Sequence, residues 1–116
     1  MKPIYLLGVL GCLLGACQPS ISSLPIEEEK LIQVLTDVHI AEAGLQNLRG
    51  AVKDSTAILY YNQIYSIHGI TEDDFMQSIE ILKQDPKRMN AIYTLVLDNL
   101  SVREASATNV KTRAVN

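Results

Sequence analysis

The feature that most constrains this fold is a helical pattern of apolar residues through the middle of the chain. Apolar side chains recur three and four positions apart across residues 26–103, which is the spacing that gathers them on one face of an α-helix. No stretch alternates apolar and polar residues as a half-buried β-strand does. With 116 residues the chain has the length of one domain. The pattern therefore predicts an all-α fold, a small bundle of about four helices.

The first two helices are bounded by glycine and proline. Helix one is predicted from about Pro25 to Leu48, since proline suits a first helical turn and Gly50 is placed to end the helix. Helix two is predicted to begin at a cap on Asp54 or Ser55 and to end at Gly69. The residues expected to face inward from these helices are Leu31, Val34, Leu35, Val38, Leu45, Leu48, Ile58, Tyr61, Ile64, Tyr65 and His68.

Helices three and four begin at recognisable caps. Thr71 followed by Asp74 three residues later predicts a capping box at the start of helix three. Asp85 followed by Pro86 predicts the start of helix four. The residues expected to face inward are Phe75, Ile79, Leu82, Met89, Ile92, Tyr93, Val96 and Leu100.

The first 16 residues are predicted to be a cleaved signal peptide. Lys2 precedes an apolar run that is short for a membrane span, and small residues follow it. The segment Leu14-Gly15-Ala16-Cys17 resembles the lipobox of bacterial lipoproteins, in which the cysteine is acylated and becomes the mature N-terminus. The thiol carries the diacylglycerol through a thioether, and the small residues let the peptidase approach the backbone.

Polar segments flank the predicted bundle on both sides. Residues 17–25 are interpreted as the acylated Cys17 and a flexible tether rich in Ser and Pro. Residues 104–116 carry no apolar stripe and are predicted to be a disordered tail. The tether contains no charged residue, and Gln18 replaces the aspartate that retains lipoproteins in the inner membrane. We therefore expect an outer-membrane lipoprotein that faces the periplasm.

Charge and cysteine content exclude several function classes. Ten Lys and Arg against 13 Asp and Glu give a formal net charge of −3, so the chain lacks the basic face that nucleic acids require. Cleavage would remove Cys12 and acylation would occupy Cys17, which leaves no pair for a disulfide. No motif for a nucleophile, a phosphate loop or a dinucleotide is present. We expect no enzymatic activity and no cofactor.

An ordered set of short segments resembles a small family of Bacteroidota lipoproteins, which is catalogued only as a domain of unknown function. The segments are Asp37-Val38-His39-Ile40-Ala41-Glu42, His68-Gly69-Ile70-Thr71 with Phe75 and Ser78, and Asp85-Pro86 with Ile92-Tyr93 and Leu100. The resemblance covers about residues 24–100 together with the lipobox. It departs at Ile81-Leu82, where the family often has an aromatic pair. It implies an envelope location and a helical fold, and it implies no known activity.

Glu42 is the sharpest candidate for a functional side chain. On a helical wheel it lies in the middle of the apolar stripe of helix one, with His39 on the flank of that stripe. A carboxylate buried there is costly unless it is paired or hydrogen-bonded. If helices one and two form an antiparallel hairpin, Tyr61 lies beside Glu42, and His68 lies about one turn beyond the residue opposite His39.

Three interpretations of these residues remain open at this point. Glu42 accepts a hydrogen bond from Tyr61 or His39 and fixes the helix register; or Glu42 and His39 line a groove for a partner. The third is that His39, Glu42 and His68 form a ligand or metal site, although no zinc-protease motif accompanies them. Asp37 is predicted to be a solvent-facing or capping carboxylate.

Two cations, Lys87 and Arg88, occupy the helix end that disfavours positive charge. They are expected to pair with Asp73 or Asp74 or to meet an anionic partner. Taken together, the sequence predicts a lipid-anchored helical adaptor or assembly factor that binds envelope proteins. The alternative is a small-ligand or metal-binding lipoprotein that uses His39, Glu42 and His68.

Overall fold

A computed structural model describes residues 22–115, and these residues form four helices without a β-strand. The helices are α1 (Glu28–Leu45), α2 (Gly50–His68), α3 (Glu72–Lys83) and α4 (Pro86–Ala114). The predicted all-α fold is therefore confirmed. Within the described part of the chain, no helix combines the length and apolar character that crossing a membrane requires. The predicted signal peptide and Cys17 lie outside the described residues.

The bundle is built around α1, which packs against α2 on one side and α4 on another, while α3 packs on α4. The helices enclose one hydrophobic core cluster, which consists of Ile26, Leu31, Val34, Leu35, Val38, Ile64, Tyr65, Phe75, Leu82, Ile92 and Val96. Complete burial of one Leu, Ile or Val side chain contributes about 1.5–3 kcal/mol, so this cluster is the main source of stability.

The turn between α2 and α3 has the chemistry that the sequence predicts. Gly69 adopts a left-handed conformation with φ of +63°, which glycine tolerates at a helix end. The amide of Ile70 donates to the carbonyl of Tyr65 at 3.0 Å. Thr71 Oγ1 accepts from the Asp74 amide at 3.1 Å, and Asp74 Oδ2 accepts from the Thr71 amide at 3.2 Å. The capping box is therefore present.

The turn between α1 and α2 differs from the prediction. Helix α1 is shorter than the predicted span at both ends, and Gly50, with φ of +57°, is the first residue of α2 rather than the end of α1. The N-cap of α2 is Arg49, not Asp54 or Ser55. Arg49 Nη1 donates to the carbonyls of Gln46 at 2.7 Å and of Leu48 at 3.1 Å, so one side chain satisfies acceptors that the turn leaves open.

The segment predicted to be a disordered tail is helical. Helix α4 continues to Ala114, although every residue of 101–115 is exposed. Extending an existing helix needs no new nucleus, because each added residue gains a backbone hydrogen bond. The hydroxyls of Ser106, Thr108 and Thr112 also donate to carbonyls one turn earlier. We call residues 104–114 the α4 extension.

The segment before α1 is attached to the bundle rather than free. Leu24 packs against the core, and Ile26 is only 2% exposed. Arg88 Nη1 donates to the carbonyl of Ser22 at 3.0 Å, and its Nε donates to Glu28 Oε1 at 2.5 Å. The described part of the predicted flexible tether, residues 22–25, is therefore held against the bundle. Arg88 pairs with Glu28 instead of Asp73 or Asp74.

Candidate functional site

Three helices meet at the carboxylate of Asp37. His68 Nε2, on the last residue of α2, lies 2.6 Å from Asp37 Oδ2. Arg103 Nη1, on α4, donates to Asp37 Oδ1 at 2.5 Å. The side chains of His68 and Asp37 are 12% and 25% exposed, whereas that of Arg103 is 49% exposed. We call these three residues the Asp37 network; it ties α1 to both of its neighbours.

The partners of Asp37 keep it ionised. Partial burial acts to raise the pKa of Asp37, but the hydrogen bonds from His68 and Arg103 and the positive charge of Arg103 outweigh it. The pKa of Asp37 therefore lies below its ordinary value of 3.8. Because a carboxylate only accepts hydrogen bonds, His68 Nε2 carries the shared hydrogen and donates it. The predicted solvent-facing role of Asp37 was therefore wrong.

Glu42 and Tyr61 are paired across the α1–α2 hairpin. Tyr61 donates its hydroxyl hydrogen to Glu42 Oε1 at 2.7 Å. Burial raises the pKa of Tyr61 above its ordinary value of 10, and the Glu42 carboxylate raises it further. The carboxylate itself is exposed, although the helical wheel placed it in the apolar stripe. In the last two turns of α1 only Leu45 is buried, so Glu42 reaches water.

His39 has a different neighbour from the other candidates. Its ring meets the ring of Tyr93, on α4, edge to face, with centroids 5.8 Å apart and an interplanar angle of 76°. This geometry is a favourable aromatic arrangement, and His39 is half-buried by it. The side chain therefore contributes to the α1–α4 contact.

The structure gives His39, Glu42 and His68 separate partners. His39 meets Tyr93, Glu42 accepts from Tyr61, and His68 donates to Asp37. Within residues 22–115, no group of three or more His, Cys, Asp and Glu side chains could hold a metal ion. These side chains therefore act as three separate links between helices.

Two open grooves flank α2. The groove between α2 and α3 has a volume of about 420 Å³, and its wall includes Ile58 and Met76, which are 63% and 51% exposed. Tyr61 lines the same groove. The groove between α1 and α2 has a volume of about 390 Å³ and includes Ile40 and Ile67, which are 45% and 68% exposed. Ile58 had been predicted to face the core, and the opening between α2 and α3 leaves it in water.

Asp37 and Arg103 are the linking residues that sequence reasoning missed. The hairpin register that places Tyr61 beside Glu42 also places His68 close to the level of Asp37, so the pair with His68 was within reach of that argument. The pair with Arg103 could not be predicted in this way, because Arg103 stands next to the segment whose composition predicted a disordered tail. A helix that continues past its last buried residue leaves no apolar pattern to follow.

Comparison with known proteins identifies the chain at the level of a family. No curated protein and no solved structure gives a significant match. The profile of the family described as "Domain of unknown function (DUF4296)" matches residues 23–106. This match contains α1, α2, α3 and the packed part of α4, together with the Asp37 network. The chain therefore belongs to the family described as "Domain of unknown function (DUF4296)".

Proposed function

We propose that this protein is a lipid-anchored helical adaptor or assembly factor of the cell envelope. An acylated Cys17 anchors it to the outer membrane on the periplasmic side, and the helical bundle binds a protein partner. Two or three acyl chains on one residue anchor a protein far more firmly than one chain does. The support for the anchor is the lipobox-like segment Leu14-Gly15-Ala16-Cys17.

The α4 extension is the observation that carries the binding role. Val96 is the last buried residue of α4, Leu100 packs against the core, and Arg103 reaches back to Asp37. Beyond Arg103 the helix runs on for about 16 Å with every side chain exposed. Most of the stability of a helix in a protein comes from tertiary packing, and the α4 extension has no buried side chain that could supply it. A partner that packs on the extension would stabilise it and would gain a preformed binding element.

The alternative of a small-ligand or metal-binding lipoprotein has less support. It requires His39, Glu42 and His68 to act together, and each of them is engaged by a different neighbour. A ligand that binds only the folded state raises the unfolding temperature, because it stabilises that state by RT ln(1 + [L]/Kd), where [L] is the ligand concentration. Zinc titration followed by thermal unfolding therefore tests this alternative directly, and we expect no upward shift.

The adaptor proposal is tested by crosslinking in intact envelopes followed by affinity purification. We compare the full chain, Cys17→Ser, and a chain that ends at Arg103. The full chain is expected to capture a discrete partner, and the shortened chain is expected to lose it while keeping its unfolding temperature. Cys17→Ser is expected to leave the membrane fraction. Equal capture by the full and shortened chains would remove the α4 extension from the proposal.

A further inference from the structure

Arg88 has an arrangement that the binding role does not explain. It is a cation in the first turn of α4, where the helix dipole disfavours positive charge. Its guanidinium is compensated by two acceptors that come from another part of the chain, Glu28 Oε1 at 2.5 Å and the carbonyl of Ser22 at 3.0 Å. One side chain therefore joins the start of α4 to the start of α1 and to the segment that precedes α1.

The position of Ser22 defines where the tether leaves the bundle. Arg88 and Glu28 lie in the first turns of α4 and α1, so these two helices begin at the same end of the bundle. Helix α3 finishes there too, because only Gln84 and Asp85 separate it from α4. Ser22 is held at this end, which we call the tether end. The loop between α1 and α2, residues 46–49, lies at the opposite end of α1.

We infer that Arg88 is a clamp on the tether and that it holds the tether end of the bundle against the lipid surface. This inference rests on the proposed anchor at Cys17. Five residue steps separate Cys17 from Ser22, and an extended chain of that length reaches at most about 18 Å. Without the clamp, the chain is next held by the half-buried Leu24 and then by the buried Ile26, so the reach grows to about 25 Å or about 32 Å.

Charge at the tether end does not supply this orientation. Five acidic and four basic side chains lie there, so anionic headgroups would gain little from approaching it. Orientation therefore comes from the short reach and from the clamp, and it is expected on neutral bilayers as well as on anionic ones. The nine side chains are Glu27, Glu28, Glu29, Glu80, Asp85, Lys30, Lys83, Lys87 and Arg88.

The clamp also determines where the α4 extension points. Helix α4 rises about 39 Å between Arg88 and Ala114. With Arg88 at the membrane, the extension lies on the side of the bundle that faces away from the bilayer. The partner would then be met in the periplasm rather than at the lipid surface.

Fluorescence energy transfer from the bundle to the bilayer tests the clamp. The acylated protein is placed in phosphatidylcholine vesicles that contain an acceptor-labelled lipid. The donor is attached to one introduced cysteine, either Gln84→Cys at the tether end or Ala51→Cys near the opposite end; both residues are exposed. Acylation blocks Cys17, and the processed chain has no other cysteine. We expect high transfer from position 84 and low transfer from position 51.

The variant that tests the inference is Arg88→Met, and its control is Lys87→Met, the neighbouring exposed cation. Arg88→Met is expected to reduce transfer from position 84 and to shrink the difference between the two positions. Lys87→Met is expected to leave both values unchanged. If Arg88→Met fails to fold in circular dichroism, Glu28→Gln, which removes the charge that orients Arg88, is measured instead with the same expectation.

Two outcomes would overturn the inference. An unchanged difference between positions 84 and 51 in the folded variant would show that Arg88 does not orient the bundle, and the anchor at Cys17 would still stand. Mass spectrometry of the membrane-extracted protein reports the acyl group separately. A Cys17 without it would remove the anchor and the clamp together. A loss of orientation in the variant on an acylated chain would support both.

Discussion

Asp37 Oδ2 and His68 Nε2 lie 2.6 Å apart, although the two residues are 31 positions apart in the chain. This hydrogen bond ties the middle of α1 to the last residue of α2. The second oxygen of the same carboxylate accepts from Arg103 on α4. Both neighbours of the central helix are therefore fixed by one side chain, and removing that side chain releases two helix contacts at once.

Asp37→Asn is expected to lower the free energy of unfolding by about 1–2 kcal/mol. The amide replaces a charged acceptor with a neutral one, and hydrogen bonds to charged groups are the stronger kind. The exposure of Arg103 keeps the loss at the lower end of that range. Urea unfolding measures the change, and Asp98→Asn, an exposed carboxylate on α4, is the control. A loss no greater than that of the control would remove the Asp37 network from the account.

The stability difference between the wild type and Asp37→Asn is expected to depend on pH. Because the folded pKa of Asp37 lies below 3.8, the unfolded chain binds more protons just below that pH. The contribution of Asp37 is then complete about one pH unit above 3.8, and it is lost as the pH falls through 3.8 and then through the folded pKa. The stability difference between the wild type and Asp37→Asn is therefore expected to shrink between about pH 5 and pH 2. A difference that stays constant over this range would contradict the depressed pKa.

Glu42→Gln is expected to change the ionisation of Tyr61 more than it changes stability. The amide oxygen still accepts the tyrosine hydroxyl, and the site is exposed, so the free energy of unfolding should change by less than about 0.5 kcal/mol. The lost negative charge should bring the pKa of Tyr61 closer to 10. Ultraviolet absorbance titration measures this, with Tyr61→Phe subtracted to isolate the one residue.

The Glu42 variant also separates structure from binding. Unchanged partner capture with unchanged stability would leave Glu42 as an accessory contact within the hairpin. Lost capture with full stability would place Glu42 in the partner surface. A collapsed fold would contradict the exposed position of the carboxylate, because an exposed hydrogen bond contributes little to stability.

Thr71→Ala is expected to lower the free energy of unfolding by about 1 kcal/mol. The hydroxyl satisfies the Asp74 amide, which has no partner within the helix. Thr112→Ala is the matched control, because Thr112 is an exposed threonine of the α4 extension whose hydroxyl bonds only to a carbonyl of its own helix. The denaturant midpoint of Thr71→Ala should therefore be lower than that of Thr112→Ala. Equal midpoints would mean that the capping box is not important for α3.

The starts of α3 and α4, the end of α2 and the pairing of α1 with α2 were predictable because local chemistry determines them. Thr71, Asp85 and Gly69 act on the backbone within a few residues, so the sequence alone places them. The Tyr61–Glu42 pair followed from antiparallel register, which depends only on the length of the turn. These predictions needed no knowledge of the other helices.

The features that the sequence did not predict depend on which faces of α1 and α2 are covered by α3 and α4. Glu42 lies on the apolar face of α1 by its spacing, yet it is exposed because little packs over the last turns of that helix. Ile58 is open for the same kind of reason. Arg88 finds its acceptors about 60 positions away in sequence. Periodicity within one helix carries no information about where another helix ends.

Site-specific photocrosslinking in intact envelopes tests the central claim, that the α4 extension binds a protein partner. The crosslinking amino acid is placed at Val110 in the extension or, as the control, at Val52 in the first turn of α2; the two residues are 67% and 62% exposed. The account predicts a discrete adduct with another envelope protein from position 110 and none from position 52. Adducts from position 52 with none from position 110, or from neither position, would contradict it.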